Sequence, residues 1–159
     1  MKNQKGSALS LSKGFTLTEL LIVMGILAII FTFTAPNLLH FQRRSALNTT
    51  TDTLLTDLKS QQIKAMVGDT EGRATTDNYG VHFDTNKYTL FHGSYSSSDT
   101  TNFDVKLDPS LQFSSVTSVI FSKGSGEVAS APISVVLDDT TNTDQKTIQT
   151  NVYGAITVL

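Results

Sequence analysis

At 159 residues, with 39% hydrophobic and 16% charged positions, the chain has room for one small domain and an appendage. It contains no cysteine, which excludes disulfides, a thiolate nucleophile and any Cys-bearing metal site. The net charge is −2, and an acidic chain without a basic stripe or tail has no electrostatic reason to seek nucleic acid.

Residues 1–14 form a mostly polar leader carrying Lys2, Lys5 and Lys13 and no acid. Its removal would take the net charge from −2 to −5, because three lysines leave and no carboxylate goes with them. Next comes Lys13-Gly14-Phe15-Thr16-Leu17-Thr18-Glu19, and then 23 residues, Leu20 to Gln42, without Asp, Glu, Lys or Arg. As a helix that stretch is roughly 35 Å long, against a bilayer core of about 30 Å. Its richest part, Leu20 to Phe31, is apolar on every side, which suits lipid or a bundle of like helices. The leader lysines set against Arg43 and Arg44 favour a cytoplasmic N-terminus and an exported C-terminal part. His40 and the arginine pair read as an interfacial anchor. Gly25 and Pro36 are soft points within the helix, and Pro36 removes a backbone hydrogen bond there or marks the helix end.

Glu19 is out of place at the start of such a run. A charged group there costs about 2.5–3.5 kcal/mol at the bilayer centre, less near the interface. Cleavage after Gly14 would create a partner, an α-amine on Phe15, four residues before Glu19 and on the same helical face. A secretory signal peptide fits poorly, since its apolar region runs only about 7–15 residues and ends at a small-x-small site. Here the run is longer, and Phe33-Thr34-Ala35 puts a bulky residue where a small one belongs. An uncut signal anchor would leave Glu19 without an amine and Gly14-Phe15 without a role.

The string from Lys13 to Val23 closely resembles the class III signal of type IV pilins and type II secretion pseudopilins. The resemblance implies that prepilin peptidase, a membrane aspartyl protease, cuts between Gly14 and Phe15 and methylates Phe15. It makes Glu19 the carboxylate needed for assembly. Thr18 departs from the pattern, which more often has an apolar residue there. The implied partners are prepilin peptidase, other pilin or pseudopilin subunits, an inner-membrane assembly platform and membrane lipid, with no cofactor. In a stack of cut subunits, residues 15–42 become the filament core. Pairing the amine of one with the Glu19 of its neighbour favours a single axial register, because an unpaired buried charge is heavily penalised.

Residues 43–68 continue the helix amphipathically, with Leu47, Leu54, Leu58 and Ala65 near one face and Leu55 and Ile63 beside it. Thr49-Thr50-Thr51 is a weak patch for helix propensity that leaves a break open, yet one long helix is the reading, with Gly68 as the expected C-cap. Residues 69–159 form a β-rich head. Tyr79–Asp84 and Lys87–His92 flank Thr85-Asn86 as a hairpin. Gly93 to Asn102 is a polar loop expected to move. Further strands are expected at Phe103–Leu107, Ser118–Ser122, Ile133–Leu137, Lys146–Thr150 and Val152–Leu159, with a tight turn at Lys123–Glu127. One long helix followed by strands predicts an α+β, pilin-like fold: the helix packed on a C-terminal antiparallel sheet. Tyr79-Gly80-Val81, the stretch Val119 to Gly126 and a last strand ending near Val158 resemble the GspH/FimT group of minor pseudopilins. That implies a low-abundance subunit at or near a filament tip. Lys59-Ser60-Gln61-Gln62 stands where that group usually has an Arg-containing stretch.

Signals for chemistry are few. Gly124-Ser125-Gly126-Glu127-Val128-Ala129 loosely fits a dinucleotide fingerprint, but no helix follows to receive a phosphate, so a turn is expected. His82 and His92 fall on adjacent hairpin strands as sheet-surface residues. No Ser-His-Asp set can be assembled from spacing, and no Gly-x-Ser-x-Gly elbow is present. Asp138 to Asp144 clusters oxygen ligands without the spacing or terminal Glu of an EF-hand. Asp139, Asn142 and Asp144 are the metal candidates there, and a solvated turn is the expected reading. The chain thus reads as a structural subunit, not an enzyme: a minor pilin or pseudopilin of a secretion, pilus or DNA-uptake (competence) filament. The alternative is an uncut, signal-anchored surface protein that binds a ligand through Gly93–Asn102 or Asp138–Asp144.

Overall fold

The computed structural model describes residues 14–159, except the side chains of 33–40, 42 and 43. The leader up to Lys13 and the side chains of Pro36, His40 and Arg43 therefore lie outside the described residues. The chain divides into two compact units, Met1–His40 and Phe41–Leu159.

A single long helix, α1 (Leu17–Val67), precedes eight strands. Thr16 and Glu19 start it as a capping box: Glu19 N–H donates to Thr16 Oγ1 (3.2 Å) and Glu19 Oε2 accepts from Thr16 N–H (2.9 Å). Gly25 and Pro36 both lie inside the helix, so neither ends it. Within the first unit every described side chain from Gly14 to Thr32 is exposed, including Leu20, Leu21, Ile22, Val23 and Met24. The expected membrane segment, 15–42, extends into the undescribed side chains. Among the described residues no helix is long and apolar enough to cross a membrane.

In the second unit α1 lays one stripe into a core. Leu54, Leu58 and Ala65 are fully buried and Leu47 nearly so, as the 3.6-residue period requires. As read from the sequence, one helix runs on through Thr49–Thr51. Thr51, Thr53 and Thr56 each turn a hydroxyl back onto the carbonyl four residues earlier (2.8–2.9 Å), which satisfies the hydroxyl without opening the helix. The helix ends in a Schellman motif, with Gly68 at φ +66°, Asp69 N–H on Lys64 C=O and Gly68 N–H on Ala65 C=O.

The head holds two antiparallel sheets, not the one expected. The first has the order β3 (Phe103–Lys106), β2 (Lys87–His92), β1 (Tyr79–Asp84), β5 (Thr117–Phe121). The second has the order β4 (Leu111–Phe113), β6 (Ile133–Asp139), β7 (Gln145–Thr150), β8 (Ile156–Val158). The β1–β2 hairpin has the predicted ends, with Asp84 opposite Lys87. Strand β4 escaped prediction because three residues are too few to show an alternation. Val152-Tyr153-Gly154 is a turn, which leaves only Ile156–Val158 as the last strand.

One core joins these layers. The α1 stripe, Val81, Phe83 and Phe121 of the first sheet, and Leu137 and Ile148 of the second belong to the same buried cluster. Phe113 of β4 meets Phe83 edge-on at 5.0 Å, so an aromatic pair ties sheet to sheet. The turn at Lys123–Glu127 docks on the helix end: Gly124 N–H donates to Ala65 C=O (2.8 Å), and Gln62 Nε2 donates to Gly126 C=O (3.2 Å). Gly126 has φ +70°, and a Cβ there would meet Met66 Cγ at 2.5 Å, so the turn requires glycine.

Leu58→Ala should lower the unfolding free energy by about 2–5 kcal/mol, since it empties a fully buried site. Urea unfolding of the full-length protein in detergent, followed by tyrosine fluorescence, would measure the change. A loss under about 1 kcal/mol would contradict the central place given to this stripe.

Candidate processing and assembly site

Gly14, Phe15, Thr16 and Glu19 line one open recess at the start of α1. Glu19 Oε2 also accepts from Thr16 Oγ1 at 2.8 Å, so one threonine supplies both donors to the carboxylate. The sequence signal for this is the Thr-x-x-Glu spacing, and Thr16 is the residue that reading for processing motifs overlooked. Phe15 is 82% exposed, so its side chain is available to an outside protein. A Cβ on Gly14 would meet nothing within 4 Å, and its φ is not left-handed. Among the described residues nothing therefore demands glycine at position 14. The same holds for Gly25, where glycine costs about 1 kcal/mol against alanine and a Cβ would stand in open space.

The metal candidates are tied up in hydrogen bonds within their own turn. Asp139 Oδ1 accepts from Thr141 N–H (2.9 Å), Thr141 Oγ1 (2.6 Å) and Asn142 N–H (3.3 Å), and Oδ2 accepts from Asn142 Nδ2 (2.8 Å). Both oxygens are taken by donors, and Asn142 presents its amide nitrogen, not its oxygen. Asp144 meets Asp139 only through its backbone carbonyl (3.0 Å). Asp138 lies on the neighbouring strand position and binds the Ser114 hydroxyl. Among the described residues no three His, Cys, Asp or Glu side chains converge to hold a metal. The cluster is an Asx-type turn closing the β6–β7 hairpin, and its donors hold the Asp139 carboxyl down at about 2.

The two hairpin histidines are engaged separately. His92 Nε2 contacts Thr101 Oγ1 (3.0 Å). His82 Nδ1 contacts Ser118 Oγ (2.7 Å), Tyr95 stacks on its ring at 3.7 Å, and Asp84 Oδ1 lies 3.5 Å from Nε2. This brings a serine, a histidine and an aspartate together, which spacing could not foresee. The carboxylate is too distant for a normal hydrogen bond and is shared with Lys87 at 3.8 Å, so it does not orient the imidazole. What the trio does is fasten the loop: Tyr95 ties Gly93–Asn102 to the sheet, and Asn102 Nδ2 donates to Ser96 C=O across it (2.7 Å).

The family model for the prokaryotic N-terminal methylation motif matches residues 9–35. No curated protein and no solved structure matches the chain. The motif is the signature of type IV prepilin-like proteins, and the α+β layout of one long helix and antiparallel sheets is consistent with a pilin-like fold. In proteins of that kind the motif goes with processing by prepilin peptidase and assembly with other pilin subunits. The match stops at Ala35, short of the unit that begins at Phe41.

Asp139→Asn should destabilise the head by on the order of 2 kcal/mol at neutral pH. The folded carboxyl titrates below its ordinary value, so its contribution is complete above about pH 4 and disappears as the pH falls through about 2. Thermal melts of both proteins across that range should converge at the acid end. A gap that persists at pH 2 would contradict the assignment.

Proposed function

We propose that this chain is a minor pilin or pseudopilin, cut between Gly14 and Phe15, N-methylated on Phe15, and assembled through Glu19. The observation that carries this reading is the pairing of a recess built from Gly14, Phe15, Thr16 and Glu19 with a helix whose apolar side chains are exposed on every side. A glycine that its own fold does not require is explained by a protease that does. An all-round apolar helix is unstable in water and needs lipid first and like helices later.

Cutting changes the electrostatics of the helix start. The new cation on Phe15 sits beside the positive end of the α1 dipole, where it is unfavourable. Glu19 is the nearest carboxylate in the sequence, and in the free chain its Oε2 is held by Thr16. In a stack of subunits the Phe15 amine of one copy meets the Glu19 of the next in a low-dielectric core, and both charges are satisfied in one register. Gly25 then serves close approach between helices, with Pro36 as a point of give.

Before assembly the subunit is a single-pass inner-membrane protein over 15–42, with a cytoplasmic leader and an exported head. Its partners are prepilin peptidase, sister subunits, the inner-membrane platform and lipid. It is a building element and not an enzyme. The short echoes at Tyr79-Gly80-Val81 and Val119–Gly126 resemble the GspH/FimT group of minor pseudopilins, which supports a position at or near a filament tip.

Replacing Gly14 by a bulky residue, as in Gly14→Leu, should abolish cleavage while leaving the head folded, because a Cβ there meets nothing within 4 Å among the described residues. Mass spectrometry should find the leader retained in the variant and N-methyl-Phe15 in the parent; normal processing of the variant would refute the proposed cut. Glu19→Ala should be cut normally yet enter filaments at least tenfold less, as quantified by immunoblotting of sheared filaments. Unimpaired entry would count against charge pairing as the basis of register.

A further inference from the structure

The first sheet is unfinished at β3 (Phe103–Lys106), one of its two edge strands. Register fixes which way each residue of that edge points. Val105 lies opposite Tyr88, whose hydroxyl reaches Asp57 on α1, so Phe103, Val105 and Leu107 face the core layer. Asp104 and Lys106 project from the other face, where Asp104 accepts from Lys87 Nζ (2.8 Å) and Thr89 Oγ1 (2.7 Å). Leu107 N–H donates to Asn86 C=O (3.0 Å), so by alternation the N–H and C=O of Asp104 and Lys106 point away from β2. Among the described residues no hydrogen bond engages those four groups. The apolar side of the edge is open as well. Phe103 is 65% exposed, and a recess of about 170 Å³ is lined by Thr50 and Thr53 of α1 and by Val105 and Leu107.

An exposed strand edge is a template for another strand, and charged side chains on it ordinarily prevent such pairing. Here they select it. Phe103-Asp104-Val105-Lys106-Leu107 alternates apolar and charged in either direction, with acid and base exchanged on reversal. Against an antiparallel second copy centred on Val105, Asp104 stands opposite Lys106 of the other copy, and Lys106 opposite its Asp104. Phe103 and Leu107 then meet across the apolar side. Registers centred on Asp104 or on Lys106 would set like charges face to face, which is destabilising. A shift of one residue would turn the apolar side chains to the wrong face. Lys106 is exposed and makes no ion pair among the described residues, and Asp104 keeps lone pairs beyond those its two donors occupy. The opposite edge, β5, carries no charge that could fix a register.

We infer that β3 is a self-pairing edge: two copies of the chain join through antiparallel β3 strands about a two-fold axis at Val105, with Asp104 and Lys106 crossing as ion pairs. The two first sheets then run on as one. Such an isologous contact closes on itself, so it pairs heads and does not propagate along a filament. It makes no use of the leader or of Glu19 and stands or falls separately from the processing scheme.

The chain has no cysteine, so a single introduced thiol reports on this contact without interference. In the full-length protein in detergent micelles, Val105→Cys should form a disulfide-linked dimer on mild oxidation. Position 105 meets itself there in a non-hydrogen-bonded pair, where facing side chains come closest. Lys106→Cys, which faces position 104, should yield on the order of tenfold less dimer on non-reducing gels. Association through the N-terminal helix alone would cross-link both variants alike. Adding Lys106→Glu to Val105→Cys opposes two carboxylates and should cut the yield several-fold, with the melting temperature unchanged because Lys106 makes no ion pair within one copy. Absence of cross-linking at position 105, equal yields at 105 and 106, or a yield that survives Lys106→Glu would overturn the proposal.

Discussion

The head depends on one stripe of a helix. Leu47, Leu54, Leu58 and Ala65 face two sheets that share no strand, and each sheet alone would leave an apolar face in water. The stripe gives both sheets a common surface to bury. The Phe83–Phe113 contact then joins them directly. Tyr88 shows the same layering in polar form: its hydroxyl donates to Asp57 on α1 at 2.6 Å, and burial together with that carboxylate pushes the phenol well above its ordinary range.

Much of this was legible in the residues. The four stripe positions follow from the 3.6-residue period alone, and the ends of β1 and β2 follow from Thr85-Asn86 between two alternating runs. The second sheet was harder to see. Its edge strand β4 has three residues, and its β8 begins only after a turn at Val152–Gly154 that reads as strand by composition. The single helix read through the weak patch Thr49–Thr51 is the one observed, and the hydroxyl's bond to the preceding turn offsets the cost of the β-branched side chain.

The sites divide along similar lines. A local motif such as Gly14, Phe15 and Glu19 lies in adjacent positions and can be read without a fold. The Asp139 turn looked like a ligand cluster because composition counts oxygens and not the donors that Thr141 and Asn142 bring to them. Ser118 and His82 are brought together by strand register over a long separation, so no spacing rule could reveal the pair.

The docking of the Lys123–Glu127 turn on the end of α1 has a mechanical consequence. Tension carried along the helix reaches the head through residues 47–65, and at its far end Ala65 C=O and the Gln62 amide are clasped by Gly124 and Gly126. Extracting the helix would require these bonds and the leucine stripe to slide together in shear, not to open one after another. Load is thereby spread across both sheets.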